Sequence, residues 1–213
     1  KEARERLTKN LLGGQPLKDI NGQDNGVRLL DLDNDGFMDV VIGNEHIQQT
    51  RLWNPKTQKW EISHFPFRIV QKDSKGNSEE TGAKFGILQP NGYASVFISN
   101  KSIKGIWDFN GNTWTQNNTN IKGLELNKQM IQTSVNGQDN GIRLRDNNND
   151  GICEIIISNF KDQGVFSWNK TEKKWIKLKF NLPKSVSITR KDGRDNGVRF
   201  VDINEDNYLD IIH

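Results

Sequence analysis

Gly22-Gln23-Asp24-Asn25-Gly26-Val27-Arg28 runs into Asp31-Leu32-Asp33-Asn34-Asp35-Gly36-Phe37-Met38-Asp39, and this pattern returns twice with small changes. The second copy runs from Gly137 to Arg143 and on to Asp146 through Glu154. The third runs from Gly193 to Arg199 and on to Asp202 through Asp210. Each holds a D-x-[DN]-x-D loop with an acid at its ninth position. One such loop is a motif; three at regular intervals define an architecture.

The residue types point to calcium, a hard cation that takes six to eight oxygens. Acids or amides at positions 1, 3 and 5 of a tight loop can converge on one ion. Position 7 offers a backbone carbonyl and position 9 a carboxylate. The expected ligands are Asp31, Asp33, Asp35, the Phe37 carbonyl and Asp39 in the first loop. They are Asp146, Asn148, Asp150, the Ile152 carbonyl and Glu154 in the second, and Asp202, Asn204, Asp206, the Tyr208 carbonyl and Asp210 in the third. Gly36, Gly151 and Asn207 follow the third ligand, where a turn wants positive φ. An EF-hand would need a Glu at position 12 between two helices. Position 12 is Ile42, Ile157 and His213, and the flanks Val-Arg-Leu-Leu and Asp-Val-Val-Ile read as short buried strands. Asp/Asn/Gly clusters also make ordinary turns, but three copies with matching flanks argue for a metal.

Gly141 and Gly197 are 56 residues apart, and Gly26 and Gly141 are 115 apart, so a degenerate copy is expected midway. Gly82-Ala83-Lys84-Phe85-Gly86-Ile87-Leu88, Asn91-Gly92-Tyr93 and Val96-Phe97-Ile98-Ser99-Asn100 supply it. With Gly86 set against Gly26, about four loop residues are missing between Leu88 and Gly92, and no acid remains. This copy is expected to keep its strands without a metal. The six tryptophans fall in pairs seven apart: Trp53/Trp60, Trp107/Trp114 and Trp168/Trp175. A turn centred on Asn110-Gly111, a strong hairpin signal, puts Trp107 opposite Trp114; the other pairs centre on Lys56-Thr57 and Thr171-Glu172. The expected class is all-β: four antiparallel strands per repeat, the pattern of β-propeller blades. The repeats lie at about 22–81, 82–136, 137–192 and, in part, 193–213, after a lead-in over 1–21.

Across 22–213 the chain resembles the FG-GAP/VCBS family of propellers, which includes the integrin α-subunit head and many bacterial surface proteins. In that family D-x-D-x-D-G-x-x-D loops join the first and second strands of a blade. The Asp-Asn-Gly-x-Arg lead-in, with Thr81-Gly82-Ala83-Lys84-Phe85, also resembles repeats of large bacterial envelope dehydrogenases that carry c-type haem domains. No Cys-x-x-Cys-His is present here, and Cys153 is the single cysteine, so redox chemistry would have to lie outside these residues. Propellers need about four to eight blades to close. Three and a half repeats imply completion by further sequence or by another chain.

No stretch reads as a transmembrane span. Cys153 stands where Met38 and Leu209 stand and reads as a small core residue. Residues 1–12 can form a short helix ended by Gly13-Gly14, read as a linker or lead-in. Calcium loops of modest affinity work where calcium is about millimolar, which points outside the cytoplasm: periplasmic, cell-surface or secreted. There are 30 Lys and Arg against 27 Asp and Glu; ten of those acids are expected ligands, leaving 30 against 17 elsewhere. Lys173, Lys174, Lys177, Lys179, Lys184, Arg190, Lys191 and Arg194 crowd one region. The surplus suits a protein or anionic polysaccharide partner; nucleic acid is not expected. Sequons begin at Asn100, Asn117 and Asn169.

His46, His64 and His213 share no motif, and no nucleophile elbow, zincin helix, P-loop or dinucleotide fingerprint occurs. Asp24/Arg28, Asp139/Arg143 and Asp195/Arg199 recur as pairs, read as ties between repeats. The expectation is a non-catalytic, calcium-stabilised propeller segment serving as a binding or scaffolding module, with about three ions. The alternatives are an accessory segment of an extracytoplasmic oxidoreductase, or a propeller polysaccharide lyase or hydrolase.

Overall fold

The computed structural model describes residues 2–117 and 120–213; the sequon that begins at Asn117 runs outside the described residues. Apart from the helix Glu2–Asn10, the regular structure is all β. The first four-stranded antiparallel sheet holds Val27–Leu30, Asp39–Gly43, Gln48–Asn54 and Lys59–His64 in chain order. The second holds Lys84–Ile87, Ala94–Ser99, Lys104–Phe109 and Trp114–Gln116, and the third Ile142–Arg145, Glu154–Ser158, Gln163–Asn169 and Lys174–Lys177. Arg199–Val201 and Asp210–Ile212 form a two-stranded ladder. No described helix is long and apolar enough to cross a membrane.

The chain divides into two compact units. One is Lys1–Thr81 with Phe109–Thr115; the other is Gly82–Asp108 with Gln116–His213. In both, the second strand of each sheet is buried along its whole length: Asp39–Gly43, Ala94–Ser99 and Glu154–Ser158. Such strands are apolar on both faces, so each sheet must be covered on both. In the second unit one face of the third sheet (Ile142, Ile155, Ile157, Phe166) packs on Leu88, Phe97 and Ile106. The other face (Ile156, Val165) packs on Val186, Ile188 and Val198. Cys153 is buried in the first of these cores, and burial pushes its thiol up.

In the first unit Leu12 packs with Val27, Val40 and Ile42. Gly14 N–H donates to the Thr8 carbonyl at 2.8 Å, and Gly13 and Gly14 take φ of 60° and 85°. This closes the helix with a glycine C-cap. Arg51 donates to the Asn10 carbonyl at 3.2 Å, placing a cation at the helix C-terminus, and its guanidinium lies 5.1 Å from the Trp60 ring centroid. The segment read as a linker is therefore part of the first core, because Leu11 and Leu12 supply apolar cover for a sheet face.

Strand register corrects the alignment of the degenerate copy. Leu30 pairs with Asp39, Gly86 with Ser95, Arg145 with Glu154 and Val201 with Asp210. The offsets are 56, 115 and 171 residues (86, 145 and 201 against 30). Gly82, not Gly86, is thus the counterpart of Gly26, and the second loop has full length with no residues missing. The backbone agrees: Gly26, Gly82 and Gly141 have φ of 68°, 92° and 74°. A Cβ at these positions would meet the Gly43 carbonyl at 2.3 Å, Thr133 Oγ1 at 2.4 Å and the Ser158 carbonyl at 2.5 Å.

The hairpins hold a second correction. Trp53 pairs with Trp60 and Trp168 with Trp175, with ring centroids 5.1 and 5.6 Å apart. In the second sheet, however, Asn110 N–H donates to the Thr113 carbonyl. The turn therefore centres on Gly111-Asn112, and Trp114 packs on Phe109 at 5.1 Å instead of standing opposite Trp107. The cause is the asparagine side chain. Oδ1 of Asn54, Asn110 and Asn169 accepts N–H groups two and three residues on, so each Asn opens its turn. The residue just before it is Trp53, Phe109 or Trp168.

The Asp–Arg pairs differ in depth. Asp139 Oδ2 accepts from Arg143 at 2.8 Å and Oδ1 lies 3.0 Å from Lys84 Nζ, with Asp139, Arg143 and Lys84 side chains 11, 22 and 13% exposed. Lys84 starts the second sheet, so this carboxylate ties two sheets of one unit. Asp24–Arg28 is half-buried, and Asp195–Arg199 is more than half exposed. Burial opposes ionisation of Asp139, but Lys84 and Arg143 outweigh it and hold the carboxyl below its usual value near 3.8. A lowered folded pKa gives stability that is complete above the unfolded value and lost as pH falls through the folded one. Asp139→Asn should cost about 3 kcal/mol near neutral pH, because it leaves two buried cations short of a partner. Asp195→Asn should cost under about 1 kcal/mol, with Asp24→Asn between. Chemical denaturation of the three variants at neutral pH and at stepwise lower pH checks the order and its narrowing as pH falls through the folded value of Asp139.

Candidate metal centre

The first loop bridges the paired residues Leu30 and Asp39. It turns through Asn34 and Gly36, whose φ values are 60° and 87°. Asp31 closes the turn: Oδ1 accepts Asp35 N–H at 3.2 Å and Oδ2 accepts Gly36 N–H at 2.9 Å. Asp35 Oδ1 accepts Phe37 N–H at 2.8 Å. Asp39 is fully buried; its oxygens accept Leu32 N–H at 2.9 Å and Trp53 N–H at 2.7 Å. The ninth-position acid therefore also fastens the loop to the third strand, a role the motif alone does not reveal.

Ligand oxygens of Asp31, Asp33 and Asp39 lie within 4.8 Å of one another. Oxygens bound to one calcium at about 2.4 Å are no more than about 4.8 Å apart, so this set suits such an ion. Asp33 Oδ1 is buried without a hydrogen-bond partner. A buried carboxylate oxygen left so is costly unless something else meets it, as a bound cation would. Burial first, then the charges of Asp35 and Asp31, push the Asp33 carboxyl up. Burial, with smaller contributions from Asp33 and Asp35, pushes Asp39 up to about 6 despite its two N–H donors. Asp35 is not in the convergent group; its side chain is exposed on the turn beside a cleft of about 360 Å³.

The second and third loops repeat the same turn. Asp146 accepts from Asp150 and Gly151 N–H, and Asp202 from Asp206 and Asn207 N–H. Asp150 and Asp206 accept from Ile152 and Tyr208 N–H. Glu154 accepts Asn147 N–H and Asp210 accepts Ile203 N–H. Glu154 also receives Ser167 Oγ and Asn148 Nδ2, and burial pushes its carboxyl up. Asn148 and Asn204 replace the central acid, and among the described residues the three remaining carboxylates of each of these loops do not converge as those of the first loop do. Among the described residues, the carbonyls of Phe37, Ile152 and Tyr208 accept no hydrogen bond and remain available.

In the second sheet Ile87, Gln89, Asn91 and Ser95 occupy the four side-chain positions. Tyr93 N–H still donates to Asn91 Oδ1, and Gly92 keeps φ of 79°. Ile87 instead packs on the core of the second unit, and Ser95 Oγ donates to Asp108 at 2.6 Å. This turn stands without carboxylates.

No protein-family model, characterised protein or solved structure matches this chain.

The first loop separates two roles. In chelator, Asp39→Ala should lower stability by about 2–4 kcal/mol, since two buried N–H donors lose their acceptor. Asp33→Ala should not lower it, and should raise it by about 1 kcal/mol, because it removes the unpartnered oxygen and its repulsion with Asp31 and Asp35. Denaturant titration of both variants in excess EDTA measures the difference.

Proposed function

We propose that the chain is a calcium-stabilised β-propeller segment of the FG-GAP/VCBS type, a non-catalytic binding or scaffolding module working outside the cytoplasm. The observation that carries this reading is one loop design at four equivalent places, with an orphan carboxylate oxygen at the centre of the richest. Asp31, Asp33, Asp35 and Asp39 with the Phe37 carbonyl hold the first ion. Asp146, Asn148, Asp150, Glu154 and the Ile152 carbonyl hold the second; Asp202, Asn204, Asp206, Asp210 and the Tyr208 carbonyl hold the third. The three four-stranded sheets with equivalent registers support the blade assignment. Their buried central strands explain why each blade needs a neighbour.

Calcium in this reading acts on stability. Crowded carboxylates repel one another until a cation enters. An ion that binds only the folded chain adds RT ln(1 + [L]/Kd), about 2.7 kcal/mol per site at a hundredfold excess. Metal analysis of calcium-equilibrated protein should find three ions per chain, and calcium should raise the melting temperature over that in EDTA. Asp33→Ala should remove part of that rise without lowering the EDTA value. Fewer than two ions, or equal losses for Asp33→Ala with and without calcium, would reduce the loops to ordinary turns.

A further inference from the structure

The second unit contains a groove of about 600 Å³ that no part of the loop chemistry uses; volumes of about 300–1,000 Å³ are usual for small-ligand sites. One wall is two tight hairpins. Glu125–Leu126 pairs with Gln129–Met130 across Asn127-Lys128, and Ser134–Val135 with Gln138–Asp139 across Asn136-Gly137. Both central residues of each turn have positive φ (53° and 63°; 51° and 75°). That is the type I′ geometry whose twist matches its strands, so the wall is preformed. The facing wall is the turn after the buried Asn159, with Thr189–Gly193 beside it. Asn159 Oδ1 accepts Lys161 and Asp162 N–H at 2.8 Å each, and Nδ2 donates to the Asn140 carbonyl at 2.9 Å.

The lining has three kinds of uncommitted chemistry. The side-chain amides of Gln129, Gln132, Asn136 and Gln138 make no hydrogen bond among the described residues, so each offers a donor and an acceptor together. Phe160 is 62% exposed, with Lys191 Nζ 5.9 Å from its ring centroid. Lys161, Arg190 and Lys191 have no carboxylate within ion-pair distance among the described residues. Of the two acids in the lining, Asp139 is already paired with Lys84 and Arg143. Within the lining Asp162 is left to offset the three cations, and Asp192, next to Lys191, is paired with Arg194.

We propose that this groove binds an acidic oligosaccharide: its amides pair with sugar hydroxyls, Phe160 stacks on a pyranose face, and Arg190, Lys161 and Lys191 take the carboxylate or sulfate. An acidic peptide would use the cations and could pair its backbone with the amides, but it offers no flat apolar face to the exposed Phe160 ring, so the ring favours the sugar. The inference rests on the reading of the chain as a binding module, but it does not depend on calcium.

The test is calorimetric titration of the full chain at about 0.15 M salt, in EDTA and again in calcium. The probes are trigalacturonate, a heparin-derived tetrasaccharide, neutral maltotriose and hexaglutamate. At least one acidic saccharide should bind in both buffers, and tighter than maltotriose and hexaglutamate. Binding of trigalacturonate shows that a carboxylate suffices; binding of the heparin fragment alone, which carries both groups, assigns the need for sulfate. Phe160→Ala should weaken that binding about tenfold, and Arg190→Glu with Lys191→Glu should abolish it. These side chains are exposed, so the melting temperatures should stay near that of the parent. No binding of either acidic saccharide, or undiminished binding by the variants, overturns the proposal. Equal or tighter binding of hexaglutamate replaces it with a peptide site. A chain that binds saccharide in EDTA but shows no calcium shift would keep the groove and lose the calcium reading; the reverse result would do the opposite.

Discussion

Burial of the second strand of each four-stranded sheet on both of its faces is the constraint from which the rest follows. Val40-Val41-Ile42, Val96-Phe97-Ile98 and Ile155-Ile156-Ile157 leave no face for water. At about 25 cal/mol per Å² of apolar surface, exposing one face would forfeit several side chains' worth of stabilisation. A sheet of this kind is stable only when covered twice. The third sheet meets the demand with two separate cores, one on Ile155 and Ile157 and one on Ile156. The invariant approach of the following segment to Gly26, Gly82 and Gly141 serves the same end. It brings Ile69, Thr133 and Ile188 N–H onto the carbonyls of Gly43, Ser99 and Ser158 at 2.7–2.9 Å.

The acidic loops sit at the open end of this buried strand, which is why their ninth residue has two duties. Asp39 accepts N–H groups from Leu32 and Trp53 whether or not a cation is near. Ser95 takes the same place in the second sheet but reaches Asp108 instead. In the first loop the first, third and ninth positions converge while the fifth stays exposed on the turn, and the ninth serves the fold as well. A loop can lose Asp31 to Ile87 and keep its turn, because the conformation resides in Gly92 and in the Asx contact of Asn91.

Much of this was legible in the sequence, and the misreadings have physical causes. The strand–loop–strand units and the Trp53/Trp60 and Trp168/Trp175 pairs follow from period and turn chemistry. Gly86 was the wrong landmark because it resembles Gly26 only in identity; the positive φ and close backbone approach that demand glycine occur at Gly82. Trp107/Trp114 was the wrong pair because seven-residue spacing is incidental there, whereas Asn110 sets the turn and promotes Phe109 to the packing position. Lys84 as the second partner of Asp139 had no signal at all, since a contact across 55 positions leaves no local trace. The groove was invisible for a similar reason. Asn136-Gly137 reads as a hairpin, but nothing in the chain says that Phe160 and Arg190 face it.

The amino-terminal helix bears on how such sheets are assembled. The face of the first sheet that carries Val27, Val40 and Ile42 corresponds by register to the face of the third that carries Ile142, Ile155 and Ile157. In the third sheet that face is covered by strands of the second; in the first it is covered by Leu12, with Arg51 held between Trp60 and the end of the helix. A few apolar residues after a capped helix thus stand in for a sheet. Any sheet that came to lie on this face would have to displace Leu12. It would also have to find another partner for the Arg51 guanidinium, whose Nε is already without one. The gain from such an exchange is then the difference between two ways of covering one apolar face, a far smaller quantity than the cost of leaving it bare.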